Sequence, residues 1–248
     1  MAFPTTVSGS YGWEKQTTSA QRQVLGAEMA FADGRKYRYV ENGGTAIEEG
    51  MLVASEAPAG NHDEDLPVAT TAAGASSVTV TLGATPAAEN LYAEGYLFFN
   101  LPLLSTAGSR VFYKIKSHPY AAGSATLALT LDEPDGTVIA VTNGTETAGL
   151  IKSPYKDIVV APAAIVGRYV GVSPCQIAAN YFGWVQVAGL AVVAMDGANA
   201  MGTLVGSSGT HAGSMIAVGA DVTSAVGRVH GKAGVNEEYH TVMLMNLY

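Results

Sequence analysis

The sequence predicts an all-β protein, and three observations carry that prediction. Short runs of alternating apolar and polar residues recur, as in Ser77-Val78-Thr79-Val80-Thr81-Leu82 and Ala125-Thr126-Leu127-Ala128-Leu129-Thr130-Leu131. Such alternation puts every second side chain on one face of a strand. Turn-forming clusters of Gly, Asn, Asp and Pro separate the runs, and no long amphipathic helix lies between them. Composition agrees: 248 residues with 29 glycines, 48% apolar residues and only 14% charged ones fit packed strands, tight turns and much surface covered by something other than water. Closely spaced strands without helical crossovers form antiparallel sandwiches or barrels.

The elements follow in order. Residues 1–35 are a polar opening in which Phe3, Tyr11 and Trp13 stand among Thr, Ser, Gly and Gln. They read as an extended arm that docks on a neighbouring chain, with a disordered terminus as the alternative. A weak helical pattern covers 19–30. From Lys36 the texture changes: Tyr37 to Val40 alternates, Glu41-Asn42-Gly43-Gly44 supplies a turn, and Thr45-Ala46-Ile47 resumes, which predicts a hairpin. Met51 to Ala54 is the next strand, and a polar loop runs from Ser55 to Asp65. The middle block predicts strands at 77–82, 95–100, 110–116, 125–131 and 137–141.

The last block predicts strands at 158–160, 167–172, 200–205, 225–230 and 239–247. Between them lies ANYFGWVQVAGLAVV, residues 179–193, which reads as a buried strand–turn–strand with Trp184 as its anchor. Its Gly and Gln interruptions do not suit a membrane helix, which needs about 20 consecutive apolar residues. The closing strand is apolar on both faces, with Met243 and Met245 on one and Val242, Leu244 and Leu247 on the other, which predicts burial on both.

Charge and motif content narrow the function. Thirteen Lys and Arg against twenty-one Asp and Glu leave a net charge of −8 without a basic cluster, so nucleic acid is not an expected partner, and neither is a membrane. The amino terminus reads without a signal peptide. The single cysteine, Cys175, allows no intramolecular disulfide and reads as a buried apolar residue. No nucleophile elbow, phosphate loop or zinc-ligand spacing is present, so no catalytic residue, metal or cofactor is expected. Gly206-Ser207-Ser208-Gly209 reads as a hairpin loop and Asn61-His62-Asp63-Glu64-Asp65 as a solvated acidic loop. Of the five histidines, His230 and His240 are the pair that neighbouring strands would bring closest. Asn143-Gly144-Thr145 matches a glycosylation sequon but reads only as a turn. Tyr37, Tyr39, Tyr96, Phe98 and Tyr113 occupy alternating strand positions and read as sheet packing.

Several runs, in order, resemble structural proteins of tailed bacteriophages, particularly marine, cyanophage-like ones. They include Ala93-Glu94-Gly95-Tyr96-Leu97, Tyr113-Lys114-Ile115-Lys116-Ser117-His118-Pro119 and Ser153-Pro154-Tyr155-Lys156-Asp157-Ile158-Val159-Val160-Ala161-Pro162. Tyr181-Phe182-Gly183-Trp184-Val185-Gln186-Val187-Ala188-Gly189, Ala225-Val226-Gly227-Arg228-Val229 and Glu238-Tyr239-His240-Thr241-Val242-Met243-Leu244 continue the pattern. The resemblance spans residues 36–248 and leaves the first 35 outside.

It implies a head decoration, or cement, protein: a non-enzymatic homotrimer on the outer capsid surface of the virion, bridging major capsid protein subunits. Another virion role (tail, head completion or minor capsid) and a carbohydrate-binding surface protein are the alternatives. Phe3, Tyr11 and Trp13 are the candidate capsid or subunit contacts. The implied plan has an arm at 1–35, a discontinuous β-barrel-like domain from 36–70 plus 154–248, and an inserted antiparallel β-domain at 71–153.

Overall fold

The computed structural model describes residues 6–100, 112–163, 168–218, 225–231, 236–245 and 247. It is an all-β protein; among the described residues the one helical element is a 3-10 turn, Trp13–Lys15. The chain divides into two compact units, residues 1–56 with 154–248, and residues 57–153 inserted between them.

In the outer unit the strands before the insert are β1 (Thr6–Ser8), β2 (Glu28–Ala30), β3 (Lys36–Glu41) and β4 (Leu52–Ala54). The insert holds β5 (Leu66–Pro67), β6 (Ser77–Thr81), β7 (Tyr96–Asn100), β8 (Phe112–Ser117), β9 (Thr126–Leu131) and β10 (Thr147–Ile151). The outer unit resumes with β11 (Val159–Val160), β12 (Tyr169–Val172), β13 (Phe182–Ala194), β14 (Leu204–Ser207), β15 (Met215–Ala217), β16 (Gly227–Val229) and β17 (Tyr239–Leu244).

The insert is barrel-like. Its sheet runs β5-β10-β7-β8-β9-β6, and a bridge between Val68 and Val80 nearly joins the two ends. Strict alternation explains the closure: Leu127, Leu129 and Leu131 point inward with Val78, Val80, Leu97 and Ile115, while the Thr and Ala positions between them face out. Closing a sheet on itself removes the unpaired edges that would otherwise invite aggregation.

The sequence plan is corrected at two points. The insert begins at residue 57, not 71, because β5 pairs with β10. Residues 6–35 are not a separate arm: β1 and β2 extend the outer sheet, and Thr18 bridges Phe182. The discontinuous unit curls round as well: Met195, just after β13, bridges Met215 of β15, and the Leu52 N–H of β4 donates to the Gly213 carbonyl just before β15. The insert thus shares the barrel-like character that the sequence plan gives to the discontinuous unit.

The outer unit's sheet runs β1-β2-β3-β13-β17-β16-β14-β15, with β12, β4 and β11 branching from β13. The expected hairpin after β3 does not form. Asn42 is buried and donates its side-chain amide to the carbonyls of Thr45, Ile177 and Ala178, so Ile47 bridges Ile177 instead. The weak helical pattern at 19–30 yields turns and β2. Residues 137–141 form no strand; only Val141 pairs, across to Thr71.

β13 is a single 13-residue strand where the sequence predicts strand–turn–strand. Its pairing with β3 slips between Gln186 and Ala188, and Gly189 sits at φ 85. A Cβ on Gly189 would lie 2.9 Å from the Arg35 Cα, so only glycine fits without strain. The Gln186 side chain holds the irregularity in place: its amide donates to the Ala188 and Leu190 carbonyls, 3.0 and 2.9 Å away. The strand therefore changes partner without ending. Residues 182–188 pair with β3, and residues 189–194 pair with β17.

Candidate interaction surface

Along β13 the odd positions Val185, Val187, Ala191 and Val193 are buried throughout. The even positions divide. Trp184 and Gln186 are buried, whereas Leu190 and Val192 are 41% and 55% exposed. On β17, Val242 and Leu244 are buried, but Tyr239 and Met243 are exposed, as is Met245 beyond it. Leu190 lies opposite Met243, Val192 opposite Thr241 and Ala194 opposite Tyr239, so these side chains form one contiguous apolar face. Arg228 of β16 borders it opposite Met243 and donates to the Gly202 carbonyl. β17 is central in its sheet, as its apolar pattern predicts, yet only one of its faces is covered among the described residues. Scattered exposed apolar residues are ordinary; a contiguous group across two central strands marks an interaction surface.

What covers the first half of β13 is the amino-terminal segment. Trp184 packs edge-on against Tyr39 with centroids 5.0 Å apart, in a cluster with Ala27, Met29, Phe31 and Tyr37. Val24 and Leu25 close over it. The cover stops at a cleft of about 370 Å³, whose lining includes Glu14, Lys15, Arg35, Tyr37 and Glu49 on its polar side and Leu190, Val192 and Tyr239 on its apolar side. Glu14 is buried and accepts the Gly12 N–H at 2.7 Å. Arg35 lies 3.8 Å from Glu14, pairs with Asp33 and donates to the Tyr37 hydroxyl at 2.9 Å. Burial pushes the Tyr37 phenol up to about 12, against the pull of Arg35.

Of the three sequence-predicted contact residues, Phe3 lies outside the described residues. Tyr11 and Trp13 are both exposed, at 71% and 45%. Tyr11 leans on Phe31 with centroids 5.5 Å apart, and the Arg35 guanidinium lies over both rings. They flank the cover; the larger apolar face lies on β13 and β17. The sequence held a signal for that face in the two-sided apolar pattern of 239–247, which reads equally as double burial.

A polar cluster that sequence reasoning missed gathers behind β13. Asp196 accepts the Ser208 hydroxyl and lies 3.1 Å from the His211 Nδ1, while Glu237 stands 3.9 Å from the other ring nitrogen. The bond from Ser208, then that from His211, holds the Asp196 carboxyl below its usual range. The same carboxylate raises the His211 imidazole. Ser208 Oγ also accepts the Thr210 and His211 backbone N–H groups, both at 3.0 Å. The hydroxyl thus donates to the carboxylate and not to the imidazole, which is not the relay an activated serine requires. The cluster ties a loop.

His230 and His240 are not brought together. His230 is exposed at the end of β16, while His240 is buried on the opposite face of β17. The acidic loop has a buried member the sequence did not predict. His62 accepts the Tyr92 hydroxyl at 2.6 Å and donates to the Thr85 carbonyl at 2.8 Å, an assignment that makes one ring nitrogen acceptor and the other donor. His118 accepts the Tyr92 N–H, so two histidines pin one tyrosine inside the insert. Among the described residues no group of three or more His, Cys, Asp or Glu side chains could hold a metal ion. Cys175 is half-buried, and burial pushes its thiol up.

The five aromatic strand positions also divide. Tyr37, Tyr39 and Tyr113 are buried; Tyr96 and Phe98 are partly exposed, and Tyr96 stacks on the exposed Phe112 at 4.4 Å and 18°. No protein-family model matches the chain, and neither a curated protein nor a solved structure is similar to it.

Proposed function

We propose that this protein is a non-enzymatic decoration protein of a bacteriophage head, a homotrimer that binds the outer surface of the expanded capsid and bridges major capsid protein subunits. The observation that carries the reading is the apolar face of Leu190, Val192, Tyr239, Met243 and Met245 on two central strands. A face of that kind is stable in water only at a cost, and burying a side chain of this class contributes roughly 1.5–3 kcal/mol when exposure is complete. Repetition by symmetry multiplies modest contacts into firm clamping. The resemblance to virion proteins supplies the partner, and the acidic, charge-poor composition suits docking on protein.

Carbohydrate binding is the less favoured reading. A sugar-stacking platform presents rings side by side, whereas Tyr96 and Phe112 stack on each other.

Adding purified protein to undecorated expanded heads, with cryo-EM of the product, tests the proposal. Wild type is expected to occupy symmetric sites on the shell. The double variant Val192→Glu, Met243→Glu is expected to fold and leave heads bare, because both positions face solvent in the free subunit. Bare heads with wild type, or binding confined to tails, would overturn the decoration role.

A further inference from the structure

The sequence contains Asn-Gly twice before a possible turn, at Asn42-Gly43 and Asn143-Gly144, and the structure gives the two pairs opposite environments. In such a pair the glycine amide nitrogen can attack the asparagine side-chain carbonyl. A new N–C bond forms, the C–NH2 bond breaks, and ammonia leaves carrying the proton lost by the attacking amide. Water then opens the cyclic imide to aspartate or isoaspartate. The reaction needs a free glycine N–H, a free side-chain amide and a backbone able to rotate.

Asn42 offers none of these. It is 1% exposed, its amide is held by the Thr45, Ile177 and Ala178 carbonyls, and the Gly43 N–H donates to the Ile158 carbonyl at 3.0 Å. Asn143 and Gly144 are both exposed in a turn of the insert closed by a 3.2 Å bond from the Thr145 N–H to the Thr142 carbonyl. Gly144 takes φ 83, and neither its N–H nor the Asn143 side chain has a hydrogen-bond partner among the described residues. The Asp-Gly pairs are tied down as well: the Gly34, Gly136 and Gly197 N–H groups each donate, to Phe31, Glu133 and Asn236.

We infer that Asn143 is a site of spontaneous deamidation and isoaspartate formation, and that folding protects Asn42 from the same chemistry. The product adds one negative charge next to Glu146, whose carboxylate already accepts the Thr142 N–H at 2.8 Å. The isoaspartyl form also lengthens the backbone between Val141 and β10, in the turn where the Asn143 N–H meets Thr70 Oγ1.

Native protein held at mildly alkaline pH, then digested and read by mass spectrometry, tests this at both positions. Asn143 is expected to convert within roughly a few-fold of the rate of an unstructured peptide spanning residues 142–146. Asn42 is expected to convert roughly tenfold or more slowly, since its reaction waits on local opening. In urea the two are expected to converge. Equal rates in native protein, or an Asn143 as slow as Asn42, would overturn the inference. The Asn143→Ala variant adds a second reading: its first acidic shift on isoelectric focusing is expected to vanish, and persistence of that shift would place the reaction elsewhere.

Discussion

The two halves of β13 have nearly the same apolar content and opposite fates. Residues 182–188 are covered on both faces, by Val40, Ile47 and Val170 on one side and the Trp184–Tyr39 aromatic cluster on the other. Residues 189–194 are covered on one face, at Ala191 and Val193, and exposed on the other, at Leu190 and Val192. The difference does not lie in the strand's own residues. It lies in where the amino-terminal segment stops, one cleft short of Leu190. An apolar pattern reports what a face needs, while the supply of a cover is set by distant parts of the chain.

Substitutions in the two halves should therefore behave differently. Trp184→Ala is expected to cost roughly 3–5 kcal/mol by urea unfolding, because it empties a closed aromatic cluster. Val192→Ala should stay within about 0.5 kcal/mol of wild type, since its side chain meets water in the free subunit. Similar losses at both sites would mean the second half is covered after all. At the junction, Gly189→Val is expected to cost roughly 2–3 kcal/mol from left-handed backbone strain and crowding against Arg35. An unchanged midpoint there would show that the strand can change partner without the glycine.

Gln186→Ala should cost less, about 1–2 kcal/mol, by leaving the Ala188 and Leu190 carbonyls without their donor. Hydrogen exchange is expected to rise locally around residues 186–190, and uniform exchange would contradict that role. The smallest effect is electrostatic, in the loop behind the second half. His211 is raised above 6.5 in the folded state, so its pairing with Asp196 stabilises fully below that pH and is lost as pH rises through the raised value. Asp196 is lowered below 3.8, so its contribution is present above 3.8 and is lost as pH falls through the depressed value. Urea midpoints of wild type and His211→Ala should therefore converge at alkaline pH; a constant gap would assign the difference to packing.

Fold class was legible because alternation is local: residues 77–81 and 126–131 become strands much as their pattern predicts. Local pattern failed where a remote side chain decided the outcome. Asn42 looks like a hairpin turn until its amide finds the carbonyls of 177 and 178. Short strands such as Thr6–Ser8, Leu66–Pro67 and Met215–Ala217 carry too few residues for any period to register. The apolar face was visible as hydrophobicity and misread as core, since one strand cannot reveal whether anything packs on its second side. The Asp196, Ser208, His211 and Glu237 cluster unites residues from separate loops, and no spacing announces it.

The central place of β17 bears on the order of events during synthesis. β13 stands between β3, which precedes the insert, and β17, which follows every other described strand. Every strand pairing of the insert falls between Leu66 and Ile151, so its hydrogen bonds can form while the rest of the chain is still being made. The outer sheet has to wait for its last strand, and such sequence-distant pairings are the slow ones. Until then β13 and β16 present bare edges. A chain truncated before residue 239 would keep every strand of the insert and leave β13 and β16 without the strand that joins them.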